Sequence, residues 1–161
     1  MQREPSDNSG SSPNKNGIVL TQQFLVMKTR QPLNSITKLN LWGNDLSDIS
    51  VIKDIPNLEV LALTVNNIDS LKEFQYCPKL KELFLRRNQI PASLIELSYL
   101  RNLKSLKVLN LSENPIAEQL PQYRLMVIKS IPTLEKLDDV MVSYEEHEQA
   151  RSLDIQQAFA D

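Results

Sequence analysis

The chain has few of the residues from which catalytic and metal sites are built. One histidine, His147, and one cysteine, Cys77, occur among its 161 residues. A zinc site needs three or four ligands, so these two side chains cannot form one, and a single cysteine excludes an intramolecular disulfide. The three glycines, Gly10, Gly17 and Gly43, are too dispersed to form a phosphate-cradling loop. The composition therefore predicts no metal, no cofactor and no enzymatic activity.

The chain also lacks a strong charge of one sign and a long apolar run. The formal net charge is −2, so no basic footprint for nucleic acid is present at the level of the whole chain. No run of about 18 apolar residues, the length that spans a bilayer, occurs in the sequence. We therefore expect neither direct nucleic-acid binding nor membrane insertion nor a small-molecule substrate. Because its one cysteine falls in an apolar position, we expect a reducing, intracellular environment.

One pattern returns four times: an apolar residue, two others, Leu, one other, Leu, two others, Asn, one other, and a final apolar residue. The copies cover residues 36–46, 58–68, 80–90 and 106–116. Their asparagines, Asn44, Asn66, Asn88 and Asn114, are 22, 22 and 26 residues apart. This pattern is the signature of the leucine-rich repeat. It predicts an α/β solenoid with a short parallel sheet on its concave side, a convex side of 3₁₀ and α-helical turns, and helical caps at both ends.

The repeat has a direct physical interpretation. The two leucines of each Leu-x-Leu point inward on the period of a strand, and each unit buries its apolar edge only when a neighbour stacks on it. Each asparagine follows its strand, where its amide can bind backbone groups of the turn. On the convex side, apolar residues spaced by three predict 3₁₀ turns in the first two repeats. The third repeat is four residues longer, and we expect a helical turn there that starts at Pro91.

The domain organisation follows from the repeats. Residues 1–17 are polar and predicted to be disordered, 18–35 to form a helical N-terminal cap, and 36–116 to hold the four repeats. Residues 117–142 resemble a C-terminal repeat cap, and 143–161 form an acidic helical tail in which Ser143 and Glu146 fit a capping box. His147 lies in this tail, which we expect to be weakly ordered.

A protein-binding surface is predicted on the concave face, where residues flanking the inward leucines point outward. Aromatic residues and arginine are enriched among the residues that dominate binding energy at interfaces. Trp42 fits this role, although it could equally seal the N-terminal cap. The predicted partner-binding set is Trp42, Phe84, Arg86, Arg87, Val60, Thr64 and Lys38. Because bases are concentrated between residues 72 and 107, the middle repeats could receive an acidic peptide or this chain's own tail, or simply present a solvated face.

Several stretches resemble a family of cilia- and flagella-associated leucine-rich repeat proteins. They are Leu-Asn-Leu-Trp-Gly at 39–43, Leu-Glu-Val-Leu at 58–61, the segment from Glu82 through the Arg-Arg-Asn-Gln-Ile-Pro turn at 86–91, and the cap segments 123–128 and 132–138. The resemblance extends over roughly residues 18–146. It implies a non-catalytic protein of the cytoplasm, the cytoskeleton and the ciliary or flagellar basal body, which is needed for cilium assembly and has a NIMA-related kinase as partner. Members oligomerise through a C-terminal helical segment, and the chain ends at Asp161 without one.

Two other functions fit the same repeats. The first is a ribonucleoprotein scaffold resembling the spliceosomal A′ protein, whose cap and repeats are similar. The second is a regulator of a phosphatase, because the class of 22-residue repeats includes one. The partner distinguishes these alternatives, whereas the fold does not.

Overall fold

The computed structural model describes residues 17–160. The disordered tail predicted for residues 1–17 therefore lies, except for Gly17, outside the described residues.

The N-terminal cap begins with a strand, which corrects the prediction of a helix from Ile18 onward. Strand β1 (Ile18–Val19) runs parallel to β3 (Leu46–Asp48), and the Ile18 N–H donates to the Asp45 carbonyl at 2.6 Å. A Cβ atom on Gly17 would lie 2.7 Å from the Ser47 Cβ, so only glycine permits this close approach. Helix α1 (Gln22–Thr29) follows, with the Thr21 hydroxyl accepting from the Phe24 N–H.

The main sheet has six strands and confirms the predicted parallel ladder. In chain order they are β2 (Lys38–Asn40), β4 (Val60–Ala62), β5 (Glu82–Phe84), β6 (Val108–Asn110), β7 (Lys136–Leu137) and β8 (Val140–Met141). The first five are parallel and β8 closes the sheet as an antiparallel strand. Leu39, Leu61, Leu83, Leu109 and Leu137 pair across the ladder and are all buried. These leucines form the centre of the core because each strand stacks its inward face on the next repeat.

Three of the repeat asparagines form a buried hydrogen-bonded ladder. The Asn88 side chain accepts from the Ile68 N–H at 2.9 Å and donates to the carbonyls of Leu63 and Leu85, both at 3.0 Å. Asn66 and Asn114 make the equivalent bonds one repeat earlier and one repeat later. Asn44 has no preceding repeat to bind, and its side chain, half-buried, donates to the Trp42 carbonyl. The ladder thus joins consecutive turns at the point where each strand ends.

The convex side consists of short helical turns, with one correction. The 3₁₀ helices Ser50–Asp54 and Lys72–Tyr76 occupy the first two repeats, as predicted. In the third repeat, α2 (Leu94–Ser98) begins after its N-cap Ser93, so Pro91 lies in the preceding turn and not in the helix. Cys77 is buried beside the second 3₁₀ helix, and burial raises the pKa of its thiol to about 12, which agrees with a core position.

Glu96 of α2 is a buried carboxylate that holds two repeats together. It accepts hydrogen bonds from the Leu71 N–H at 2.6 Å and from the Ser70 hydroxyl at 3.2 Å. Burial raises the pKa of Glu96, and this effect outweighs the two hydrogen bonds, which favour the ionised form.

Glu96→Gln is expected to make the protein less sensitive to pH. A carboxyl whose pKa is raised by folding contributes most stability below its unfolded pKa, and that contribution is lost as pH rises through the folded value. The melting temperature of Glu96→Gln relative to wild type should therefore rise between pH 4 and pH 7. Thermal melts across this range measure it, with Glu118→Gln, an exposed carboxyl, as the control. A difference that is constant with pH would contradict the assignment.

The C-terminal cap and tail form one packed unit. Helices α3 (Pro115–Gln119) and α4 (Tyr123–Ser130) precede β7 and β8, and α5 (Tyr144–Ser152) and α6 (Ile155–Ala158) follow them. The predicted capping box is present at the start of α5, which packs against α4. His147 is half-buried within this helix, so the expectation of a weakly ordered segment was wrong. Among residues 17–160, no helix is long and apolar enough to cross a membrane.

Candidate protein-binding surface

The outward face of the sheet is formed by two rows of side chains on either side of the buried leucines. In the first row Lys38, Val60, Glu82 and Val108 pair across neighbouring strands, and Lys136 continues it. In the second row Asn40, Ala62, Phe84 and Asn110 pair in the same register. The alternation of buried and accessible residues within each strand follows from the period of two, as the Leu-x-Leu pattern predicted.

The middle of this face is apolar and accessible. Val60, Ala62, Phe84 and Val108 are half-buried and lie on three adjacent strands. We call these four residues the apolar centre. The predicted binding set included Val60 and Phe84 but not Ala62 and Val108, although the repeat pattern aligns all four on the outward face.

Trp42 extends the outward face beyond the end of β2. Its side chain is 62% exposed, so it does not seal the N-terminal cap. The ladder continues past the strand ends, since the Gly43 N–H donates to the Thr64 carbonyl at 3.0 Å and thereby places Trp42 beside half-buried Thr64. The Asn40 side chain accepts from the Trp42 N–H at 3.1 Å and fixes this turn. An exposed tryptophan in a fixed position can bury a large area against a partner at low entropic cost.

The two arginines at the end of β5 do not form a free basic spot. The Arg86 Nε lies 2.6 Å from the Glu113 Oε2, and the Arg87 Nε lies 3.9 Å from the same atom. Arg87 has a left-handed backbone with φ of 59°, as have Val65 and Glu113 at the equivalent turns. All three side chains of the ion pairs are about half exposed, so a partner can still contact the guanidinium groups, which share one carboxylate between them.

Lys38 marks the N-terminal end of the first row and is exposed. The hydrogen bond from Lys81 is the chief cause that holds the pKa of the neighbouring Glu59 below its usual value, and the charges of Lys38 and Lys79 act in the same direction. Lys38 thus remains available to an acidic group on a partner, while Lys81 is engaged with Glu59 at 2.5 Å.

The acidic tail does not dock on the concave face. Arg124 of α4 forms an ion pair with Glu146 of α5 and donates to the carbonyls of Leu137, Val140 and Met141. The pKa of Glu146 is lowered chiefly by its hydrogen bond from Arg124. Arg124 therefore ties the tail to the cap, which leaves the concave face uncovered by this segment.

Sequence analysis missed Arg124 and a second polar link in the same cap. The Tyr123 hydroxyl donates to one Asp138 carboxylate oxygen at 2.9 Å, and the other oxygen accepts from the Leu111 N–H at 2.7 Å. Burial is the largest cause of the raised pKa of Asp138. An adjacent Tyr-Arg pair directly before the apolar run Leu125–Ile128 was the available signal for these contacts.

The described residues offer little for chemistry at a metal or cofactor. Within residues 17–160, no group of three or more His, Cys, Asp or Glu side chains is arranged to hold a metal ion. Every buried side-chain nitrogen and oxygen in that part of the chain has a hydrogen-bond partner. The outward face of the sheet stands out for a different reason, because it presents accessible apolar side chains and the exposed Trp42.

A parallel ladder of Leu-x-Leu strands joined by buried asparagines defines a leucine-rich repeat protein, and comparison with known proteins gives the same class. A leucine-rich repeat family model matches residues 35–158. The chain belongs to this family, and it is similar to cilia- and flagella-associated protein 410. It is 44% identical to the human protein of that name over 83% of this chain, and 43% identical to the mouse protein over 79% of it.

The curated relatives that the chain matches are longer than the chain itself. The chain spans 52% of the human protein and 51% of the mouse protein, which is about half the length of either. Among solved structures, the SNF/U2A′ complex of Drosophila melanogaster contains a chain with a TM-score of 0.65 at 21% identity, covering 84% of this chain and 91% of that one. This likeness shows the shared solenoid fold alone.

Proposed function

We propose that this chain is a non-catalytic protein-interaction module of a ciliary or flagellar protein, and that it binds its partner through the concave face. The observation that carries the proposal is the accessible surface formed by the apolar centre and by Trp42, which is 62% exposed. Accessible apolar side chains on a rigid sheet are typical of protein-binding sites. The similarity to cilia- and flagella-associated protein 410 supports the ciliary role.

The finer role rests on the same resemblance. We propose that the whole protein acts at the basal body and the associated cytoskeleton, that cilium assembly requires it, and that a NIMA-related kinase is its partner. Localisation of the tagged protein in a flagellated cell, with proximity labelling in the same sample, tests these points. A basal-body signal with such a kinase among the neighbours is the expected result. A nuclear signal with small nuclear RNA would favour the ribonucleoprotein scaffold, and a phosphatase catalytic subunit among the neighbours would favour the regulator.

The double variant Trp42→Ala/Phe84→Ala is expected to reduce partner capture at least about tenfold, because each aromatic side chain can contribute 1–2 kcal/mol or more at an interface. Arg86→Glu should weaken capture less, since Arg86 is already paired with Glu113. The measurement is quantitative pulldown from ciliated cells, with circular dichroism to verify folding. Tyr76→Ala is the matched control, because Tyr76 is an exposed aromatic residue, at 47%, on the convex 3₁₀ helix. Equal capture by the double variant and wild type would refute the concave-face assignment.

A further inference from the structure

The first row of the concave face alternates between charge and valine from one strand to the next. Pairing of the strands places Lys38, Val60, Glu82, Val108 and Lys136 side by side in that order. The first, third and fifth strands of the row thus carry a base, an acid and a base, and each strand between them carries a valine. Lys38 is exposed, and Glu82 and Lys136 are half-buried. A partner complementary to this row must carry acid, base and acid at the same spacing.

The second row places further apolar surface beside the middle of the first. Ala62 follows Val60 by two residues on β4, and Phe84 follows Glu82 by two residues on β5. Asn40 and Asn110 end this row on both sides, and the Asn110 side chain is bound to Ser112 and Asp139. Apolar surface is therefore concentrated on the middle strands, and the partner must be apolar opposite them.

The spacing of the row distinguishes between partner conformations. Neighbouring strands lie about 4.8 Å apart, so like positions on every second strand are about 9.6 Å apart. In an α-helix, residues seven positions apart lie on one face and are about 10.5 Å apart along the axis. In an extended chain, residues on one face recur about every 6.8 Å. This spacing does not coincide with the spacing of about 9.6 Å between like positions on every second strand. The seven-residue spacing of a helix lying across the strands is therefore close to the spacing of the charges in the first row, and the spacing in an extended peptide is not.

We infer that the concave face receives an amphipathic α-helix of a partner protein, which crosses the strands and presents acid, base and acid at seven-residue intervals to Lys38, Glu82 and Lys136. Apolar residues of the helix, three or four positions after each of the first two charges, lie on the apolar centre. This inference rests on the proposed function and names the kind of partner that the surface fits. The chain's own α5 is not this helix, because Arg124 holds it against α4.

A synthetic helix of about 18 residues tests the inference directly. The probe is a fluorescein-labelled, side-chain-stapled peptide with Glu, Arg and Glu spaced seven residues apart, leucines at the intervening apolar positions, and Ala and Gln elsewhere. A second peptide carries Lys, Glu and Lys at the three charged positions. Binding to the full chain is measured by fluorescence anisotropy, for wild type and for the triple variant Lys38→Glu/Glu82→Lys/Lys136→Glu.

Each protein should bind the peptide of complementary charge about tenfold more tightly than the other peptide, since three exposed or half-buried ion pairs each add a modest amount. The exposed convex substitution Lys53→Glu is the charge control and should leave both affinities unchanged. The inference would be overturned if wild type and the triple variant preferred the same peptide, or if neither protein distinguished the two peptides. Equal affinity for a linear peptide with proline at its centre would also overturn it, because that change breaks a helix.

The outcomes for the inference and for the proposed function are separable. If Trp42→Ala/Phe84→Ala loses the cellular partner but the triple variant captures it as wild type does, the concave face binds a partner and the charged helix is wrong. If neither change alters capture, the proposed function fails as well.

Discussion

Asn88→Ala is expected to lower the free energy of unfolding by about 2–3 kcal/mol, because a buried polar group left without a partner costs about 1–3 kcal/mol and two further hydrogen bonds are lost. The substitution would orphan the Ile68 N–H, which donates to the Asn88 side chain. It would also remove one of two hydrogen bonds from each of the Leu63 and Leu85 carbonyls, which keep their bonds from Asn66 and Asn114. Domains of this kind are stable by roughly 5–15 kcal/mol, so the loss is a large share of the total.

The repeat supplies its own control for this prediction. Asn44 occupies the same place in the pattern, and its side chain is half-buried. It donates to the Trp42 carbonyl, but it does not join two repeats as the Asn88 side chain does. Asn44→Ala should therefore cost less than about 1 kcal/mol. Urea denaturation of both variants measures the two values. If the losses were equal, the asparagine ladder would not be the source of the stability assigned to it.

Leu83→Ala is expected to cost about 2–5 kcal/mol, the range for truncating a buried leucine. Leu83 is 0% exposed and lies at the centre of the sheet, paired with Leu61 and Leu109. The cavity cannot close easily, because rigid strands on both sides hold the neighbouring leucines in place.

Its neighbour Phe84 provides the comparison. Phe84 lies on the outward face and is half-buried, so Phe84→Ala should cost only about 1 kcal/mol, in proportion to the smaller apolar area lost. Thermal melts or urea denaturation of the two single variants give the difference. Similar losses would mean that the strand register is shifted by one residue, since such a shift exchanges the two faces.

The register of the sheet was predictable because the Leu-x-Leu pattern fixes which residues face inward. The positions of Lys38, Val60 and Phe84 on the outward face follow from that pattern and agree with their burial in the structure. The start of the chain was not predictable in the same way. Ile18 and Val19 suit either a helix or a strand, and the strand is selected by pairing with Leu46–Asp48, which lies far along the sequence.

The charges of the candidate site were harder to predict than its shape. Arg86 and Glu113 are 27 residues apart in sequence, and only the stacking of the third and fourth repeats brings them together. Two arginines that are adjacent in the sequence thus share one carboxylate in the structure, which reduces their positive charge without cancelling it. The same reasoning applies to Arg124, whose four partners come from the following strands and from α5.

The central claim is that the concave face meets the partner, and site-specific photo-crosslinking in ciliated cells tests it most directly. A photoreactive phenylalanine analogue would be placed at Phe84 on the concave face and, in a separate protein, at Tyr76 on the convex side. Both native residues are aromatic and accessible, so the substitutions are matched. We predict that one partner protein crosslinks from position 84 and not from position 76. Crosslinking of that partner from position 76 alone would contradict the account.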